Sequence, residues 1–103
     1  MMHHMAIVAL LTDLYRATAP CVAAMAMEKA VSLPRHFWHD WEDVYKSIQT
    51  NRKQLLPEVV EELDHLSVTL SQLKVQPHRY QFIPEHLNNT SSKVAALCQR
   101  YLL

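Results

Sequence analysis

Residues 56–74 read LPEVVEELDHLSVTLSQLK. Leu56, Val59, Leu63, Leu66, Leu70 and Leu73 step by three and four residues in alternation. That is the a/d seam of a heptad, so the spacing predicts a helix from Pro57 to about Val75 with one apolar stripe to bury against other helices. Pro57 suits the first turn, where a missing N–H costs no intrahelical bond. Glu58, Glu61 and Glu62 at the start and Lys74 at the end match the helix dipole.

The neighbouring segments carry the same signal. Upstream, Phe37, Trp38, Trp41, Val44, Tyr45 and Ile48 make one stripe of a helix over about Arg35–Thr50, and the polar run Gln49–Gln54 reads as its connection to the next helix. Downstream, Gln76–Ile83 reads as a loop whose Tyr80 and Phe82 pack back onto the helices. A last helix starts at Pro84 and buries Leu87, Ser91, Val94, Cys98 and Tyr101. Asn88–Ser92 are poor helix formers, so Asn89 or Thr90 is a candidate cap for a break there. The first segment spans Met5 to Ser32, with Ile7, Leu10 or Leu11, Leu14, Ala17, Cys21 or Val22, and Met25 on one face. Pro20 must kink or split it, with Thr18 as a cap for the second half.

Together these predict an all-α fold: an up-and-down antiparallel four-helix bundle with a proline-kinked first helix. A single domain over residues 1–103 is expected, with Met1–Met5 set apart as disordered or cloning-derived. Were Pro20 and Asn88–Ser92 both true breaks, a compact six-helix fold of the death-domain type would be the alternative. The length of the third helix favours the bundle.

Composition narrows the function classes. The chain has no glycine, against about 7% in an average protein. That excludes the phosphate-cradling P-loop, the Rossmann turn and the G-x-S-x-G nucleophile elbow. Ten basic and ten acidic residues cancel, and Arg52–Lys53 is only a two-residue basic patch, so no nucleic-acid partner is expected. The apolar run Ala6–Leu11 is too short for a signal peptide or a membrane span, so no membrane partner is expected either. Two cysteines, Cys21 and Cys98, are too few for a disulfide scaffold. They are read as reduced thiols of a cytoplasmic protein, with one bridge between first and last helices as the alternative.

Reactive constellations are sparse. Glu62 and His65 have the E-x-x-H spacing of di-iron bundles, but no second copy follows. His36 and His39, with Asp40 or Asp43, have metal-ligand spacing, although the i,i+4 pairs His36–Asp40 and His39–Asp43 are ordinary surface partners. No metal or cofactor is expected. Cys98, on an apolar face, reads as packed and inert. Arg79 and His86 have six residues between them. That spacing is similar to the loose R-x(4–6)-H pattern of HEPN ribonucleases, which are helical bundles. The resemblance implies an arginine that holds phosphate and a histidine that moves a proton, but Pro77 and Pro84 flank and interrupt the stretch.

The densest feature is aromatic. Phe37, Trp38 and Trp41 crowd one helix, and consecutive Phe37 and Trp38 cannot both face the centre of a stripe. Met25 and Met27 flank Ala26 in an adaptable apolar stretch. These five residues are the expected partner interface of a small non-enzymatic interaction module: an adaptor, a regulatory subunit or a homodimerising domain. A metal-assisted or HEPN-like hydrolase using His36, His39, His65 or His86 is the competing class.

Overall fold

A computed structural model describes residues 4–26 and 33–102, with the side chains of Val22, Met25, Ala26, Tyr101 and Leu102 left outside the description. The described chain is all-α. Four α-helices follow one another, α1 (His4–Ala26), α2 (Phe37–Thr50), α3 (Pro57–Lys74) and α4 (Ile83–Leu102), with 3₁₀ turns at Arg52–Gln54 and Pro77–Phe82.

α3 begins where proline chemistry places it. Leu56 is extended (φ −59°, ψ 138°), as a residue before proline must be, and its carbonyl accepts the first helical bond from Val60 N–H at 3.0 Å. Val59, Leu63, Leu66, Leu70 and Leu73 are all buried. The seam therefore faces the core as its spacing predicts, except that Leu55 is buried in place of Leu56 at the helix entrance.

α2 ends in a side-chain cap. Asn51 donates from Nδ2 to the Ser47 carbonyl at 2.7 Å, a second bond to an acceptor that its own backbone N–H also reaches at 3.2 Å. The expected Gln76–Ile83 loop is instead a 3₁₀ turn that runs directly into α4. Tyr80 packs inward from it, but Phe82 stays exposed beneath the Arg79 guanidinium, 5.5 Å from the ring centroid.

The four helices are those that the periodicity predicts, and neither break of the six-helix alternative occurs. α1 continues through Pro20. Pro20 and Arg16 are both exposed, so the carbonyl that the proline leaves without a donor lies toward water, where solvation compensates. Thr18 is no cap. It is fully buried inside the helix, with its hydroxyl donating to the carbonyls of Leu14 (3.0 Å) and Tyr15 (3.2 Å). α4 likewise runs unbroken through Asn88–Ser92. Asn88, Asn89 and Ser92 point to solvent while Thr90 and Ser91 are buried, so tertiary burial overrides weak helix propensity.

The small residues explain which helices touch most closely. α1 and α4 share the longest contact, and Thr12 Oγ1 meets Ser91 Oγ at 3.3 Å across it. Short side chains let the two backbones approach. α2 instead reaches the core through Phe37, Trp41, Val44 and Ile48, and its bulk holds its backbone away from α1 and α3. Ile7, Leu11 and Leu14 of α1, and Ile83, Leu87, Val94 and Cys98 of α4, complete one continuous core. At the base, Leu56 N–H donates to His4 Nε2 at 2.9 Å, tying the start of α1 to the entrance of α3.

Two stability outcomes follow from this packing. Leu70→Ala removes a fully buried seam residue and should cost about 2–5 kcal/mol in urea unfolding followed by circular dichroism, whereas the exposed Val68→Ala should stay within about 0.5 kcal/mol. Pro20→Ala restores a helical N–H and should raise stability, by at most about 3 kcal/mol. A loss on Pro20→Ala would mean that α1 depends on the proline.

Candidate functional site

The site is built around Trp38. Phe37 turns into the core with 2% of its surface exposed, so the next residue on the helix must emerge at the edge. Trp38 is accordingly half-buried. Three elements hold its ring. Phe37 lies edge-on at 4.8 Å and Tyr80 at 5.8 Å, both in the T-shaped geometry that aromatic quadrupoles favour. Lys74 Nζ sits 5.6 Å from the ring centroid in a cation–π contact. Tyr80 is itself fixed, because its hydroxyl donates to the Lys74 carbonyl at 2.9 Å.

Beside Trp38 a groove of about 210 Å³ opens between α2 and α3. Trp38, Trp41, Glu42, Tyr45 and Lys46 line it from α2, and Ser67, Ser71 and Lys74 from α3. Its existence has a simple cause. The bulky α2 side chains hold the helices apart, and Ser67 and Ser71, one turn apart on the facing helix, are too short to fill the gap. Trp41 and Tyr45 lie with ring centroids 6.0 Å apart along the floor. Lys74 and Glu42 meet across the rim at 3.9 Å, both well exposed.

The end of α2 is tied to α3 by a fork. Arg52 donates to both carboxylate oxygens of Asp64, at 3.0 and 2.6 Å, and its NH1 also reaches Gln49 Oε1 at 3.2 Å. The hydrogen bond to Asp64 raises the guanidinium above its ordinary value, against a smaller opposing effect of desolvation. Gln49 is turned so that its oxygen accepts from Arg52, which leaves its Nε2 buried with no partner among the described residues.

Of the three residues expected at a partner interface whose side chains are described, Phe37, Trp38 and Trp41, only Trp38 combines side-chain exposure with a place on the groove. Phe37 belongs to the core and offers a partner no surface. Trp41 is 6% exposed and contributes only to the groove floor. The side chain of Met25, and the whole of Met27, lie outside the described residues. Ser67, Ser71, Lys74 and Tyr80 were not foreseen. The Ser67–Ser71 pair at i,i+4, one step off the leucine seam, was the available signal.

The metal candidates separate. Glu62 pairs with Lys93 at 3.7 Å while His65 is exposed, and His39 Nδ1 meets Asp43 at 3.6 Å with His36 apart from them. Among the described residues no three His, Cys, Asp or Glu side chains assemble around a point that could hold an ion. Arg79 is exposed on the 3₁₀ turn and His86 is half-buried on α4, with no hydrogen bond joining them. A second hollow, about 310 Å³ between α1 and α2, has an aliphatic floor of Leu10, Leu14, Ala17 and Val44 beside Asp13, Asp40 and Asp43. No helix among the described residues is long and apolar enough to cross a membrane. No protein-family model, curated protein or solved structure matches the chain.

Both cysteines are free. Cys21 is half-buried, while burial in the core pushes the Cys98 thiol up. Since the thiolate is the reacting form, iodoacetamide at mildly alkaline pH should alkylate Cys21 well before Cys98 in the native chain, as read by intact mass. The unfolded chain releases the Cys98 proton at lower pH than the folded one, so this residue's contribution to stability falls as pH rises through the ordinary thiol range. Equal alkylation rates would show that α4 opens at Cys98 without global unfolding.

Proposed function

We propose that this protein works by protein–protein association, with the groove between α2 and α3 as its contact surface. The observation that carries the reading is the half-buried Trp38, held by Phe37, Tyr80 and Lys74 at the mouth of an aromatic-floored hollow. Tryptophan and tyrosine dominate binding hot spots, and a ring already immobilised loses little entropy on contact. No hydrogen bond among the described residues joins Ser67 or Ser71 to Lys46, Lys74 or Glu42, so recognition is the reading that the groove supports best. The roles open to it are those of an adaptor, a regulatory subunit or a homodimerising domain.

The same proposal includes an up-and-down antiparallel arrangement of the four helices as one domain. Supporting it, Glu42 early in α2 meets Lys74 at the end of α3, while Arg52 just past α2 meets Asp64 near the beginning of α3. Thr12 of α1 meets Ser91 of α4, and the connections after α2 and α3 are short. The free thiols fit a reducing compartment, which supports a cytoplasmic location.

Trp38→Glu places a charge at the groove mouth and should abolish association, read by native mass spectrometry and by co-purification from the source cell, while far-ultraviolet circular dichroism stays that of the wild type. Val75→Glu, at a position 78% exposed and away from the groove lining, should leave association unchanged. The reading fails if both variants retain every associated chain, which leaves Trp38 outside any contact, or if Trp38→Glu loses helicity along with association, which makes Trp38 a core residue.

A further inference from the structure

We infer that the groove receives an amphipathic helix of another protein, whose single apolar anchor is flanked by carboxylates. This rests on the reading of the groove as a partner site and adds the chemistry of the partner.

Volume sets the first condition. About 210 Å³ is below the roughly 300–1,000 Å³ of pockets that enclose small-molecule ligands, and it suits one large side chain inserted from outside. Shape sets the second. The walls are two neighbouring helices, and the trough between them is the seat of a third helix in helix-in-groove recognition. A two-fold pairing of identical copies would instead set one lysine-bearing lining against another, like charge against like.

Charge sets the third condition. Lys46 lies eight residues beyond Trp38 on α2, about 12 Å along the axis, and Lys74 sits over the Trp38 ring. The two lysines thus border the aromatic floor from its two walls, Lys46 from α2 and Lys74 from α3. Glu42, the one carboxylate of the lining, reaches Lys74 only at 3.9 Å from an exposed position, so an incoming carboxylate competes with it readily. Among the described residues no carboxylate lies within ion-pair distance of Lys46. The lining therefore has one positive charge in excess, which attracts an acidic helix and repels a basic one. On a partner helix, carboxylates one turn to either side of the apolar anchor share its face and can reach both lysines.

The test uses the full chain and two amidated helical peptides without tryptophan. Each has one central leucine; one has glutamate four positions to either side, the other lysine. Trp38 and Trp41 are the only tryptophans, so their emission reports occupancy of the groove. The glutamate peptide should shift the emission saturably in the millimolar range or below, and the lysine peptide should bind at least about tenfold more weakly. Ser71→Leu, which fills the hollow from an exposed position, should abolish the shift, and Lys46→Glu combined with Lys74→Glu should reverse the preference. If the peptides bind equally or the glutamate peptide fails to bind, while the chain still associates in a manner lost on Ser71→Leu, the inference is overturned and the partner-site reading stands. Association indifferent to both Ser71→Leu and Trp38→Glu overturns both.

Discussion

Removal of the α3 leucine seam from water is the constraint on which the rest depends. Val59, Leu63, Leu66, Leu70 and Leu73 present a continuous apolar line, and each such side chain gains about 1.5–3 kcal/mol by burial. No neighbour within α3 can cover that line, because residues on one helix face are stacked along it and not across it. α1, α2 and α4 supply the cover, and the one core that results joins all four helices.

They cover it in two different ways. α1 and α4 approach through Thr12, Ser91 and other short side chains, which fill little space and allow a long, close contact. α2 approaches through Phe37 and Trp41, which fill the core from further away. A helix that reaches its core with large side chains leaves open space along its flanks. The space beside α3 is kept open by Ser67 and Ser71, while the Arg52–Asp64 fork ties the end of α2 to α3. The candidate site is thus a by-product of how α2 is packed, and its aromatic lining comes from the same stripe that anchors the helix.

That origin bears on function. Trp38 is ordered by contacts from three elements before any partner arrives, so binding need not order it again. The polar groups around it are two lysines, a glutamate and two hydroxyls, a set suited to selecting a partner by charge and shape. Of the histidines that the sequence offers for metal or proton transfer, His39 pairs with Asp43, His36 and His65 face water, and His86 is half-buried on α4.

Much of the fold was legible in the spacing of residues. The 3-4-3-4 steps of Leu56–Leu73 and the stripe Phe37–Ile48 report helix period and buried face directly, because the repeat of the helix is a local property of the chain. The absence of glycine excluded whole classes of phosphate-binding and nucleophile turns by the same local reasoning. Periodicity across Pro20 and Asn88–Ser92 favoured four helices, but residue propensities alone left open whether either stretch would break. Propensity is a small local energy, and burial of Thr18, Thr90 and Ser91 against neighbouring helices outweighs it. The sequence did not separate Phe37 from Trp38 as core and surface, since adjacent residues on a helix differ by about 100° and only the position of the neighbours decides which one is covered. The groove belongs wholly to tertiary structure: a gap between helices is set by the sum of side-chain lengths from both sides, and Ser67 and Ser71 acquire a role only when Trp38, Trp41 and Tyr45 stand opposite them.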